Sequence, residues 1–492
     1  MRDHLSLRAR ALNDAKVNPH GEFVLYWMQT TLRLEENWAL RAAILESNRL
    51  GRPIVILQEL SPGMGAQRVG DEVMRPTARH WSFLLDGAAE CARTADSLGI
   101  GYLFLVHPSS APFGIGAIAN RASLVVTDDD PTGGMAARGA RLAALASCSV
   151  VAVESNCVVP AALFLLPEYS RRTFRPKVTT LLDNALEPVA SAAPKCAVRP
   201  QLMASLHAAL RAAPLPIGSW DAAARRAALA SCSVDQTVMP APAFSGGRAA
   251  GVTRFEHFLA RGLSGFSHRR NDPSDRTASS GMSPYLRWGH ISSAEIVRAA
   301  RSHGTPADVY AFIDNTVVWR ELAFNCCLRS ASPTTLECLP EWIHRSMERH
   351  AHDHRPHDPT PWQIDVGETG LPLWDAAHAE LRETGALPQQ MRKLWGKSLI
   401  TMVPSYVEAH STILRLNTKY ALDGGDACGL AAALWCFGKF DRPFAPRPIW
   451  GGIRPMSLAR AAARPATRRY LAGHAVGGAG AGEAAGAVDC RA

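Results

Sequence analysis

The sequence predicts an α/β domain, a parallel five-stranded doubly wound sheet, followed by an all-α domain. Two patterns carry that expectation. In the first third, short apolar runs alternate with amphipathic helical stretches; from about residue 248 onward the periodicity is helical alone. Length supports the division, because 492 residues exceed what a single core comfortably holds.

The strands are expected at 21–27 (GEFVLYW), 53–60 (PIVILQEL), 101–106 (GYLFLV), 123–128 (SLVVTD) and 149–154 (SVVAVE). Each is a nearly continuous apolar run, as a strand buried on both faces must be. Between them, 35–47 and 81–98 place apolar residues three or four apart, which is helical spacing. A nucleotide fingerprint is the natural thing to seek in such a fold. PFGIGAIAN (112–120) formally supplies Gly114, Gly116 and Ala119, but the strand at 123 leaves no room for the helix that must receive a phosphate. A nicotinamide enzyme is therefore disfavoured.

Residues 161–245 are rich in Pro and Ala and read as a connection carrying some helix. Residues 246–470 form the helical domain, with segments such as DVYAFIDNTVVWRELAFNCCL and YVEAHSTILRLNTKYAL. The Gly/Ala-rich end, 471–492, reads as a disordered tail, and residues 1–160 make up the α/β domain.

Composition narrows the function classes. Hydrophobic residues are 47% and charged residues 20%, which is globular composition. The net charge of +9 favours a polyanionic partner without demanding one. No apolar run is long enough to span a membrane, and the charged N-terminus lacks a signal peptide's apolar stretch. Eleven scattered cysteines with no Cys-x-x-Cys suit reduced thiols in a cytoplasmic protein and no metal site.

The tryptophans of the helical domain are the informative feature. Trp288, Trp319, Trp374, Trp395, Trp435 and Trp450 all lie within a few residues of Arg, Lys or Asp. Singly, each suits a core residue beside a snorkelling charge. Together they suggest a cavity with aromatic walls and fixed charges, able to hold a flat anionic ligand or an extruded base. ASSGMSPYLRWGHIS adds hydroxyls and glycines that would cradle a pyrophosphate, or else simply cap a helix.

The order of these segments resembles the DNA photolyase/cryptochrome family, most closely the class II cyclobutane pyrimidine dimer photolyases. The likeness runs from VLYWMQTTLRLEENWAL (24–40) through RRNDPSDRTASSGMSPYLRWGHIS (269–292), VVWREL (317–322), LPLWDAAHAEL (371–381) and MRKLWGKSLI (391–400). It ends at LNTKYALDGGDACG (416–429) and RPIWGGIRPM (447–456). The resemblance implies an antenna-type α/β domain joined to a helical domain that binds FAD, with a deazaflavin or folate as a second, antenna chromophore. It implies blue-light-driven splitting of pyrimidine dimers in DNA by a protein with no metal and no membrane partner, acting as a monomer. The alternative within the family is a cryptochrome-like photosensor or DNA-binding flavoprotein.

Carried over by position, Ser279, Ser280, Met282 and Ser283 resemble the loop around the FAD phosphates. Arg392 and Asp423 match an ion pair beside the isoalloxazine, Asp426 the second acid of that turn, and Asn417 the residue facing flavin N5. Phe266 stands near the flavin where the family has a Tyr. Trp395 and Trp374 match the inner two positions of an electron-transfer chain, whose outermost position is Met402. Trp319 and Trp435 match walls of the dimer pocket; Arg270, Asp441 and Arg442 match the DNA-facing rim. Asn315 stands where class II enzymes carry a Glu that holds the dimer, Lys393 where they carry a Met, and Phe444 where a rim Trp is expected.

Overall fold

The computed structural model describes residues 4–477 except 62, 70–71, 108–114, 133, 210–214 and 217–219. Among the described residues nine strands are formed: β1 (Ala9–Ala11), β2 (Phe23–Trp27), β3 (Ile54–Leu60), β4 (Gln67–Val69), β5 (Glu72–Met74), β6 (Gly101–Val106), β7 (Ala122–Asp128), β8 (Val150–Val153) and β9 (Leu215–Pro216). Seven make one sheet in the order β1-β8-β7-β2-β3-β6-β9, and β4 with β5 forms a small hairpin. The five predicted strands are the central, parallel ones. The sequence reading missed two edge strands, β1 and β9, which pair antiparallel.

Both faces of the central strands are covered. Phe23, Leu25 and Trp27 of β2 pack with Ile115, Leu142 and Leu206 on one side. Val24 and Tyr26 face the other, with Trp81, Leu84 and Trp288. Alternation through a doubly covered sheet is why these strands read as unbroken apolar runs. The second of those cores continues through Phe255, Phe266 and Phe312 into the helical domain, so the two domains share packing.

Gly289 marks the join. At φ 67°, it lets residues 288–289 press against the segment after β2; a Cβ there would lie 2.2 Å from the Thr30 carbonyl oxygen. Arg33 donates to the Gly289 carbonyl at 2.8 Å, and Trp288 Nε1 donates to the Leu422 carbonyl at 3.0 Å.

The connection folds back on both domains. Its helix Arg171–Ala185 joins the helical core through Phe174, Val178 and Leu182. Helix Pro200–Ala209 delivers Leu206 to the outer face of the sheet, and Ala222–Ser231 packs on the helix Ala78–Ser97. Helix Ile115–Ala119 has only five residues, too short to receive a phosphate; residues 112–114 of the glycine pattern lie outside the described residues. The last helix, Pro465–Gly477, runs into the stretch assigned to a disordered tail, so that assignment is corrected for 471–477; residues 478–492 lie outside the described residues. Among the described residues, no helix is long and apolar enough to cross a membrane.

Candidate functional site

One cavity of about 400 Å³ opens in the helical domain. Of the residues singled out from the sequence, all but Trp288, Trp374, Met402, Asp441, Arg442, Phe444 and Trp450 line it. Four local structures place most of them there.

Helix Gln389–Ser398 presents Arg392, Lys393 and Trp395 within a single turn. Helix Tyr406–Tyr420 ends with Asn417 turned inward and buried. The chain then reverses through LDGGD. Gly425 takes φ 77°, and a Cβ on Gly424 would come within 2.3 Å of the Asn417 carbonyl. That turn delivers Asp423 to the cavity, while Asp426 caps helix Ala427–Cys436 by accepting from the Gly429 N–H at 2.6 Å. The backbone at Gly429 closely approaches the Asn417 amide: a Cβ there would sit 2.9 Å from Nδ2.

The fourth structure is a π-helical turn, Asp314–Trp319. Its wider winding sends Asn315, Thr316 and Trp319 to the cavity, and such bulges concentrate at functional sites. Asp314 points the other way, to Arg171 at 2.7 Å and Arg175 at 2.8 Å, so the connection helix braces this turn.

Electrostatics centre on Arg392 and Asp423, 2.8 Å apart, with Asp423 nearly inaccessible. Burial pushes the Asp423 carboxyl up, but the charge and hydrogen bond of Arg392 hold it below its ordinary value. Asp426 goes the other way, raised to about 6 by burial and by the negative charge of Asp423. Asp423 Oδ1 is buried without a hydrogen-bond partner. An unmet acceptor beside an ion pair, in a cavity with aromatic and apolar walls, fits a flat ligand that carries an N–H or O–H. A flavin meets that description.

The serine loop fits its end of such a ligand. Gly281 sits at φ 64°, and Ser280 Oγ accepts from the Met282 N–H at 3.4 Å. Met282, not a serine, occupies the N-cap of the short helix Ser283–Arg287, and no side chain caps it. Ser279 stays exposed with its hydroxyl open to a ligand, and exposed Ser283 reaches Asp423 and helps hold that carboxyl down.

At the mouth, Trp319 has the Arg171 guanidinium 5.1 Å from its ring centre and Phe440 edge-on at 6.4 Å. Trp435 has the ammonium groups of Lys393 and Lys397 at 5.7 and 4.8 Å. Lys393 is held below its ordinary pKa by burial, then by the charges of Arg270, Arg171 and Arg454. Lys397 lies fully buried and donates to the carbonyls of Cys436 and Arg454, each at 2.9 Å, with its pKa lowered to about 8. The mouth is therefore aromatic and cationic.

Asp441, Arg442 and Trp374 are among the sequence-derived residues that lie outside the cavity. Asp441 pairs with Arg454 at 2.9 Å, and exposed Arg442 lies 5.8 Å from the Phe444 ring. Trp374 stands behind Trp395, ring centres 6.2 Å apart and planes within 11°, and its Nε1 donates to the Trp395 carbonyl at 3.0 Å. Met402 is buried in the same core as the two tryptophans.

The grouping of six tryptophans into one cavity is corrected. Trp319, Trp395 and Trp435 line it; Trp288 packs on Trp81 between the domains, and Trp450 lies 5.7 Å from the buried Lys397 ammonium. Phe440 was missed. It lines the cavity at φ 71°, a strained conformation for a bulky residue. Nothing in the one-letter pattern signals it.

A sequence model of the DNA photolyase family matches residues 24–195. The deoxyribodipyrimidine photo-lyase of Methanothermobacter thermautotrophicus is 31% identical over 451 residues, covering 92% of this chain and 94% of its own. The rice enzyme of the same name is 30% identical, covering 92% and 87%. Among solved structures, a class III photolyase from Agrobacterium tumefaciens superposes with a TM-score of 0.64 at 18% identity, covering 92% of this chain and 86% of its own. An archaeal photolyase from Sulfolobus tokodaii, whose crystal structure holds two FAD molecules, gives 0.61 at 16%, covering 91% and 89%.

Proposed function

The chain belongs to the DNA photolyase family, and from that premise we propose that its helical cavity binds FAD and a flipped pyrimidine dimer, which it splits under blue light. The observation that carries the reading is the Arg392–Asp423 pair with its unmet Asp423 Oδ1, set below an aromatic, cationic mouth. When bound, FAD would supply light absorption and one-electron chemistry.

The residues have separable tasks in this proposal. Ser279, Ser280, Met282 and Ser283 hold the phosphates, and Phe266 packs near the flavin. Arg392 sets a permanent cation beside electron-rich flavin, and Asp423 limits the cost of burying that cation. Asp426 fixes the acidic turn, and Asn417 offers its amide to the ring. Trp319 and Trp435 stack against the extruded dimer, a lesion whose poor stacking makes flipping cost only about a few kcal/mol. Asn315 bonds a thymine carbonyl or ring N–H. Arg270, Lys393 and Arg442 grip phosphate irrespective of sequence, and Asp441 holds Arg454 at the same rim. Trp395, on the cavity wall, and Trp374, stacked on it, would relay an electron toward a bound FAD.

The same proposal gives the α/β domain a light-harvesting role, with a deazaflavin or folate as second chromophore. Its support is positional. Ligands of open parallel sheets bind at the C-terminal strand ends. There Asp128 fills the β2–β7 crevice, accepting from the N–H groups of Gln29, Thr30 and Thr31, while Glu59, His107 and Arg138 cluster at the ends of β3 and β6.

A second reading rests on Asn315 and Lys393: a cryptochrome-like photosensor or DNA-binding flavoprotein that has lost repair activity. One dark experiment separates the shared part from the rest. Purified protein should carry FAD absorbance and bind a dimer-containing oligonucleotide more tightly than the undamaged one. Equal affinity for the two DNAs favours the second reading, and absence of flavin after reconstitution rejects both.

A further inference from the structure

Beside the two stacked tryptophans stands a side chain that the reading above does not use. His378, on helix Pro372–Thr384, is fully buried. Trp374 stacks on its ring at 4.9 Å and 14°. Trp395 lies in a nearly parallel plane, within 4°, and its Nε1 is 3.4 Å from His378 Nδ1.

The other ring nitrogen fixes the tautomer. His378 Nε2 lies 3.0 Å from the Asp365 carbonyl oxygen, which only accepts, so the ring proton sits on Nε2. Nδ1 is then a bare acceptor facing the indole N–H. Burial lowers the His378 pKa to about 4, which keeps the ring neutral and that lone pair free at neutral pH. Each packed element contributes charge. Asp365, from helix Pro361–Val366, and Asp375 favour an imidazolium, Arg382 on its own helix opposes one, and Arg415 on helix Tyr406–Tyr420 pairs with Asp365. Tyr420 closes the remaining edge at 5.5 Å.

We propose that His378 is the internal proton acceptor for Trp395 when that tryptophan is oxidised, trapping the electron vacancy next to the cavity. This rests on the proposed photochemistry, in which photoexcited oxidised flavin is the one-electron oxidant. Trp395 loses one electron to it. The indole N–H, a weak acid when neutral, becomes strongly acidic, and its Nε1 proton moves to His378 Nδ1. The products are a neutral indole radical and an imidazolium bonded to the Asp365 carbonyl. Recombination must return both the electron and the proton, so it is slower than electron return alone. With Met402 ending the aromatic pair, such a trap substitutes for carrying the vacancy to the surface.

The test uses the full-length, FAD-loaded protein. Nitrogen-15 NMR of His378 should show a bare, hydrogen-bonded Nδ1 and a protonated Nε2. After a flash, transient absorption should show a neutral tryptophan radical that forms more slowly in heavy water. His378→Gln keeps an amide that accepts from the indole and donates to Asp365. It cannot take the proton, so the radical should stay protonated and its lifetime fall several-fold. A wild-type radical that stays protonated, or an identical His378→Gln signal, overturns this proposal alone. Bound flavin with no tryptophan radical at all overturns the electron relay and this proposal with it. Should the variant not fold, the NMR and isotope measurements on wild type decide.

Discussion

Replacing Asp423 with Ala is the sharpest perturbation of the cofactor site. Asp423 is the hydrogen-bonded anion of Arg392, at 2.8 Å, and the Arg392 side chain is 23% exposed. Removing one partner of a buried pair costs roughly 3–5 kcal/mol, because an uncompensated charge remains. Arg392's partial access to water places this site at the lower end, about 3 kcal/mol. The substitution also deletes Oδ1, the acceptor that has no partner within the protein. Two effects should therefore appear together. Urea unfolding of the flavin-free variant should shift by about 3 kcal/mol. FAD should also stop stabilising the protein, whereas wild type gains about 2.7 kcal/mol at a hundredfold excess over Kd. Equilibrium unfolding with and without FAD, together with a flavin titration, reads both. A variant that unfolds like wild type and binds FAD with unchanged Kd would refute the placement of the cofactor against this pair.

Three further outcomes are expected. Arg442→Ala, at an exposed rim position, should weaken binding to damaged and undamaged DNA alike and lower the salt slope by about 1; unchanged slope in a salt titration would remove Arg442 from the interface. Asn315→Glu should raise light-driven repair by at least about tenfold without changing FAD affinity, since a carboxyl can donate a proton or carry charge where an amide cannot; quantum yields of the two proteins measure it. Asp426, raised to about 6 by burial and by Asp423, keeps its proton longer folded than unfolded, so its contribution to stability falls as pH rises from about 3.9 to about 6. Asp426→Asn preserves the helix cap, and its stability relative to wild type should improve by up to about 3 kcal/mol from about pH 4 to about pH 7; a difference independent of pH would contradict the assignment.

The central strands were legible because burial on both faces leaves a continuous apolar run, as in FVLYW and IVILQEL. The edge strands were not. ARA and LP are three and two residues long, pair antiparallel, and carry no apolar alternation. QRV and EVM of the hairpin are too short and polar to register as strands. The glycine pattern at 112–120 runs into the five-residue helix Ile115–Ala119, where the spacing left no room for one, and its residues 112–114 lie outside the described residues.

The site was legible mainly through motif order. Periodicity gives Arg392 and Asp423 no common address, since they stand 31 residues apart and meet only through the LDGGD turn. Proximity of Trp to Arg in sequence misled for Trp288, whose neighbour Arg287 stacks on it at 4.8 Å between the domains rather than in the cavity. Asn315 and Trp319 share the cavity wall through a π-turn, and Phe440 reaches it through a left-handed backbone; neither device has a residue signature. His378 lies within LPLWDAAHAEL, and nothing in that spacing points to the Asp365 carbonyl that fixes its tautomer.

The central claim is that this cavity splits pyrimidine dimers using light. Its most direct measurement follows a cyclobutane dimer in an oligonucleotide, incubated with photoreduced, FAD-loaded protein under blue light and in darkness. Light-dependent restoration of the two pyrimidines, absent in the dark and lost in Asp423→Ala, is the predicted result. Dimers that stay intact in the light, while the protein holds FAD and binds the DNA, would contradict it.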